Sequence, residues 1–295
     1  MIDFIKLNKR LSEAEARSLI ESIDFYSTFN TATGEEISLS PNGKHLLSHL
    51  LAWDRNMKIK LYATGWCEIS GSIHKYFNNG KHNYNQFNKK DLISTIQLLG
   101  KELELDLMGF KISGLEFGVN IEPPISSEDI IDYSLMYKGR SFENKYHNDE
   151  GNYKQVELCQ YKVKLYDKRL HYEAQGYEVG NETLRFELKY NVMKSINCLG
   201  IYYLRDLTER IDCLKEPLIN ACDNVLLFDP TINKNVKEEK KLKYNNIKFW
   251  NDISKKNKRS YRYHLKKLKE ITDNYSCGIQ AQVRDTMRER LDALV

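Results

Sequence analysis

Three short segments constrain this chain most, because each alternates apolar side chains with chemically capable ones. In an extended strand, successive side chains point to opposite faces. LEFGVNI (115–121) puts Leu115, Phe117, Val119 and Ile121 on one face and Glu116, Gly118 and Asn120 on the other. YKVKLY (161–166) sets Tyr161, Val163 and Leu165 against Lys162, Lys164 and Tyr166. LRFELK (184–189) sets Leu184, Phe186 and Leu188 against Arg185, Glu187 and Lys189. Strands of this kind suit an antiparallel sheet with one core face and one open face. If the three share a sheet, the open face gathers carboxylates, an amide, a tyrosine and several cations. Those are the groups that bind a metal ion and a phosphodiester. For any one strand alone, a solvated face without function is the plain alternative.

The rest of the chain supplies helices around such a sheet. Ser12 and Glu15 form a capping-box pattern that opens a helix over 12–25. Segments 58–64 and 66–77 read as strands, followed by the turn-rich NNGKHNYN (78–85). Leu92, Ile96, Leu99 and Leu103 form the apolar stripe of a helix over 89–107. Strand 111–121 ends before Pro123 and Pro124, and a short helix follows Ser127. A polar loop over 138–152 leads to strands at 153–166 and 183–189, and a helical pattern covers 191–222. Segment 26–56 carries mixed signals. Beyond Pro230, two runs have helical spacing: Trp250 to Ile271, and Ile279 to Leu294. The expected fold class is α+β: a mainly antiparallel sheet with helices packed on one face, plus a C-terminal basic helical domain. Domains are expected at 1–229 and 230–295.

Charge is distributed unevenly over the 295 residues. The chain is +4 overall, yet residues 234–269 hold 14 Lys/Arg against 3 Asp/Glu, a surplus of +11. The remainder holds 31 basic and 38 acidic residues, a net of −7. No apolar run approaches the ~18 residues of a spanning helix, so no membrane partner is expected. The first twenty residues lack the pattern of a signal peptide, and six cysteines are scattered without paired spacing. A reducing cytoplasm fits, with no disulfide framework and no zinc ribbon.

Four words then occur in order: GSIHKYFNNGKHNYNQF (71–87), LEFGVNI (115–121), VKLYDKRLHY (163–172), and LRFELK followed by MKSINCLG (184–200). Together they resemble the replication initiators of filamentous bacteriophages and their plasmid relatives. Those are rolling-circle initiators, related to the HUH endonucleases and to the Rep-trans plasmid group. The resemblance implies an enzyme that nicks one DNA strand at an origin through a covalent phosphotyrosine and later rejoins it. It implies Tyr166 as nucleophile, with Lys168, two residues on, sitting on the same face near the scissile phosphate; Lys164 or Lys168 is the cation that would favour the phenolate. It also implies Glu116, Glu187 and His82 as metal ligands. Because no His-hydrophobic-His pair sits on one strand, Asn120 and His74 are further candidates. Origin DNA, single-stranded or hairpin, is the implied partner, with host helicase and polymerase beside it, in the cytoplasm of a bacterial host.

The residue types suit that chemistry. Hard oxygen ligands and an imidazole favour Mg²⁺ or Mn²⁺ over sulfur-seeking metals. A neighbouring cation favours the phenolate of a tyrosine that ordinarily titrates near pH 10. A covalent intermediate conserves bond energy, so rejoining needs no ATP, and the chain has no GxxxxGK[ST] loop. DNA contacts are expected from Lys75 and Arg185. In the tail they are expected from Lys255, Lys256, Lys258, Arg259, Arg262, Lys266 and Trp250. Tyr161 and Tyr172 are rival nucleophiles, and cross-strand pairing is the structural alternative for Glu116 and Glu187. A non-catalytic DNA-binding replication or regulatory protein is the alternative function. A tyrosine recombinase fits less well, since its nucleophile would lie on a helix near the chain's end.

Overall fold

The computed structural model describes residues 1–25, 49–144 and 152–295. It is a mixed α+β structure with a large antiparallel sheet of nine strands and a second sheet of three. In chain order come β1 (Ile2–Arg10), α1 (Glu13–Ser22), β2 (His49–Asp54), β3 (Met57–Tyr62), β4 (Trp66–Ser72), α2 (Ile73–Phe77), α3 (Lys89–Glu102) and β5 (Lys111–Ile121). Next are α4 (Ser127–Tyr133), β6 (Ser134–Tyr137), β7 (Arg140–Ser141), β8 (Glu143–Asn144), β9 (Tyr153–Glu157), β10 (Tyr161–Asp167), α5 (Lys168–Glu173) and β11 (Leu184–Tyr190). The chain closes with α6 (Lys194–Asn197), α7 (Leu204–Arg210), α8 (Lys215–Asp223), β12 (Val225–Leu227), α9 (Glu238–Tyr244), α10 (Ile247–Lys256), α11 (Lys258–Tyr275) and α12 (Ile279–Ala293). Among the described residues no helix is long and apolar enough to cross a membrane.

Two compact units are present. The first comprises Met1–Phe117, Lys189–Cys213 and Leu294–Val295. Its strands run in the order β2-β3-β4-β1-β5. Ile5 and Leu7 of β1, Ile59 and Leu61 of β3, and Cys67 and Ile69 of β4 are buried, and α2 packs on β1 and β4. Ser12 and Glu15 complete the expected capping box of α1. Two boundaries differ from the sequence reading. The expected strand 66–77 stops at Ser72, whose hydroxyl accepts from the Lys75 amide and so opens α2. The expected helix 89–107 stops at Glu102, because Glu104 adopts φ +50° and reverses the chain. β2 emerges at the end of the stretch whose sequence signals are mixed; residues 26–48 lie outside the described set.

The second unit comprises Gly118–Leu188 and Leu214–Ala293. It holds the strand order β11-β10-β9-β8 and the small sheet β12-β6-β7. Asp167 ends β10 by capping α5, its carboxylate accepting from the Leu170 amide at 2.9 Å. Burial raises the Asp167 pKa above the usual carboxylate value, against the stabilising bond from that amide. The helices beyond Pro230 share a core with β6 and β12. Trp250, Tyr244, Leu268, Ile232 and Val236 pack with Leu135, Met136, Leu226 and Phe228. Asp229 ties this region together, accepting from Thr231 N (2.8 Å), Ser276 Oγ (2.9 Å) and Ile279 N (2.9 Å).

Trp250 corrects one expectation. It is fully buried, and its indole donates to the Tyr244 carbonyl at 2.7 Å, so it has no surface with which to stack a base. Helical spacing alone could not distinguish an aromatic on the core side of the tail from one interleaved with its cations. Trp250→Ala should destabilise the protein by about 3–5 kcal/mol, the range for emptying a buried aromatic site. Lys256→Ala, on an exposed position of the same helix, should change stability by less than ~0.5 kcal/mol. Urea denaturation followed by circular dichroism checks both.

Candidate active site

In the second unit, the polar side chains of β10 and β11 meet around one carboxylate. Glu187 is 1% exposed, and Lys164 Nζ donates to its Oε1 at 2.6 Å. Arg185 Nε (3.1 Å) and the Tyr166 hydroxyl (3.3 Å) both donate to Oε2. Lys168 Nζ, 1% exposed, donates to Tyr166 Oη at 3.3 Å and lies over the Tyr166 and Tyr172 rings. Tyr166 therefore stands between an ammonium and a carboxylate. Lys168 reaches it from the first turn of α5, after the chain has turned at Asp167. Gly118 leaves room beside this cluster: a Cβ there would come within 2.7 Å of Glu187 Cβ.

The polar face is not open here. Glu116 is 6% exposed, Arg185 3% and Lys168 1%, which overturns the expectation of an uncovered face. A buried carboxylate without compensation is costly, and here cations and hydroxyls supply the compensation. Arg185 is likewise corrected as a DNA contact: it is buried, and its second guanidinium arm donates to Asn120 Oδ1 at 3.1 Å. That bond also gives the amide of Asn120 a neighbour other than a metal.

In the first unit, two more carboxylates are buried. Asp3 (6% exposed) accepts from Ser72 Oγ at 2.5 Å and from Asn83 Nδ2 at 2.6 Å, while Glu116 pairs with Lys189 at 3.0 Å. Asp3 and Glu116 are the first unit's buried carboxylates at this face, and Glu187 is the second unit's. Asp3 and Asn83 are the residues that sequence reasoning missed. The available signal was an acidic residue set among Met1, Ile2, Phe4 and Ile5 at the apolar start of the first strand. His82 stacks on Tyr84 at 4.1 Å, next to the Asn83 that reaches Asp3. His74 is buried, stacked on Phe87 at 4.6 Å, with Nε2 2.8 Å from Asn85 Oδ1.

The remaining candidates are spread over the surface and core. Tyr161 bonds Tyr137 and Lys138 through its hydroxyl, at 2.9 and 3.2 Å, and Tyr172 is buried against Tyr177 and His171. Lys75 lies half-buried on α2. Lys255, Lys256, Lys258, Arg259, Arg262 and Lys266 are all exposed on α10 and α11.

No family model matches the chain, and no curated protein sequence does. Among solved structures, a rolling circle replication initiator protein from Geobacillus stearothermophilus is similar at TM-score 0.35 and 10% identity, over 81% of this chain and 89% of that one. The di-domain ARO/CYC BexL of the BE-7585A biosynthetic pathway is similar at TM-score 0.18 and 7% identity, over 87% and 99%. Likenesses of that size carry no argument, and the functional reading rests on the side chains.

Removing the charge of Glu187 while keeping its shape should be costly. Glu187→Gln leaves Lys164 and Arg185 without their counter-charge and should destabilise the fold by about 3–5 kcal/mol. Replacing solvent-exposed Glu157, the cross-strand partner of Lys162, by Gln should cost under ~1 kcal/mol. Thermal denaturation of the two variants would show the contrast.

Proposed function

We propose that this chain nicks and rejoins one strand of DNA through Tyr166, as a rolling-circle replication initiator does. The observation that carries the reading is the Tyr166 hydroxyl set 3.3 Å from both Lys168 Nζ and Glu187 Oε2. A nucleophile needs a base within reach and a cation that favours its deprotonated form. Glu187 takes the phenolic proton as Tyr166 Oη attacks phosphorus. The bond from phosphorus to the 3′ oxygen breaks, and that oxygen leaves as a 3′-OH after accepting a proton from solvent. The 5′ phosphate stays on Tyr166, and the reverse attack by a 3′-OH restores the strand.

The first unit's carboxylates fit a hard divalent ion. The hard carboxylate oxygens of Asp3 and Glu116, both buried in the first unit, suit an ion that binds oxygen at about 2.0–2.6 Å. Bound there, Mg²⁺ or Mn²⁺ would neutralise and orient the scissile phosphate. Lys164 and Lys189, which now neutralise Glu187 and Glu116, would turn toward the incoming phosphates. His82, Asn120 and His74 act in the surrounding shell in this reading.

Residues 1–229 would carry the chemistry and 230–295 the affinity for the DNA backbone, with origin DNA as the partner. The exposed cations of α10 and α11 suit a phosphate backbone, whose binding is dominated by charge.

Incubation with a labelled single-stranded origin oligonucleotide and Mn²⁺ should yield a covalent adduct on a denaturing gel. Tyr166→Phe should abolish that adduct with DNA affinity within about twofold of wild type. DNA binding without any adduct from the wild type would instead favour a non-catalytic DNA-binding protein. Mn²⁺ should raise the melting temperature of the wild type, and Asp3→Asn or Glu116→Gln should remove most of that rise.

The tail is tested by charge and not by truncation, because cutting at residue 230 would strip Leu135 and Met136 of the core partners Trp250 and Leu268. Each of Lys255, Lys256, Lys258 and Arg259 changed to Gln should flatten the slope of log K against log salt by about 0.7–0.9. An unchanged slope in the fourfold variant would make the tail a solvated cap.

A further inference from the structure

The first unit's sheet has a second face, and the register of its strands sets out what that face carries. Residues directly opposite one another in antiparallel strands point the same way. Along one row, Arg10 of β1 faces Trp66 of β4. Along the next, Lys111, Asn8, Glu68, Lys60 and Leu51 follow one another across five strands. Along the third, Lys6 faces Ser70, which faces Lys58, which faces Trp53. The interleaved residues Leu7, Ile59, Cys67 and Ile69 are buried, so these rows form the outer surface. Asp3 bonds Ser72, which follows Ser70 outward on β4, so the rows lead toward the first unit's buried carboxylates.

On these rows, five cations stand against one carboxylate, Glu68. That carboxylate is itself claimed by Lys6 at 2.7 Å, and the bond holds its pKa below the usual value despite burial. The face is also unusually aromatic. Trp53, on edge strand β2, is 53% exposed, and Trp66, at the start of central strand β4, is 40% exposed. Lys58 lies 5.5 Å from the Trp53 ring centroid, and His49 stacks on Tyr62 at 5.2 Å beside Trp66. The two exposed indoles leave ring surface in water that a stacked base would cover. A groove of cations bearing exposed aromatic rings is the equipment for an unpaired nucleic acid strand. The cations track phosphates while bases stack on the rings.

We infer that the outer face of β2, β3, β4, β1 and β5 is a binding platform for single-stranded DNA, with Trp53 and Trp66 as stacking sites and Lys58 and Lys60 as phosphate contacts. The choice of DNA rests on the proposed strand-transfer reading; the platform's geometry does not. Duplex is disfavoured because its bases are stacked inside and present no π-face to an indole.

The chain contains three tryptophans, and Trp250 is fully buried, so intrinsic fluorescence reports on this face. Oligo(dT) of twenty nucleotides should quench the wild type. Trp53→Phe/Trp66→Phe should lose the quenching while binding a fluorescein-labelled copy of the oligonucleotide within about threefold, since phenylalanine still stacks. Trp53→Ala/Trp66→Ala should bind at least ~10-fold more weakly, each stacked base being worth roughly that factor. Lys58→Gln/Lys60→Gln should flatten the salt slope by about 1.4, at ~0.7 per contact to a single strand. Circular dichroism melts confirm that the variants fold. Binding by the alanine pair within twofold of wild type, or equal affinity for a duplex of the same length, would overturn the platform. Adduct formation is read separately. A wild type that binds oligo(dT) as described but forms no adduct retains the platform and loses the strand-transfer function.

Discussion

A carboxylate at 1% exposure, with three donors converging on it, organises the second unit's sheet. Glu187 is tolerable in the interior only because Lys164, Arg185 and Tyr166 replace the water it lost. Each of those donors comes from β10 or β11, so the register of the strands and the electrostatics of the site depend on each other. A slip of one residue would turn Lys164 and Tyr166 toward the apolar side and bury Val163 and Leu165 against charge. The same dependence positions Tyr166. Tyr166 is held by the carboxylate on one side and by Lys168 on the other, and the turn at Asp167 brings Lys168 back over it.

Charge on this chain works at two dielectric extremes. The cations around Glu187 are buried and short-range, so salt should barely touch them. The cations of α10 and α11, and those on the outer face of the first unit's sheet, are solvated, and salt governs what they do. The tail combines both kinds of chemistry along its helices. Trp250 and Leu268 face a core shared with β6, while Lys255, Lys256 and Arg262 face water. Its basic surplus is thus displayed on a scaffold that the second unit itself stabilises.

Much of this was legible in the residues. The alternation in 115–121, 161–166 and 184–189 marks strands that are present, with Glu116, Tyr166 and Glu187 on their polar sides. The capping box at Ser12 and the stripe of α3 also match. What failed did so for nameable reasons. Alternation reports which side chains differ in polarity and says nothing of whether the polar side is wet, so the burial of Arg185 and Glu187 was not readable. Asp3 lies far from the other carboxylates in sequence, and its place among the apolar residues that open β1 is a weak mark by itself. Ser72 as a helix cap competes with a strand pattern that runs on through Ile73, and the cap prevails because it satisfies an amide that the strand would not.

Local side-chain chemistry by itself determined the strands, most of the helices, the charge asymmetry and the residue types available for a phosphoryl site. Those properties depend on neighbours within a few positions, and a sequence displays such neighbours directly. The tertiary structure alone decided that Tyr166 meets Lys168 and Glu187, that Asp3 is buried against Ser72 and Asn83, that Trp250 is core, and that Trp53 and Trp66 share a cationic face. Each of these is a meeting of residues from separate elements. Such meetings are set by strand order and register, which minimise buried uncompensated charge over the whole fold and not over any one segment of it.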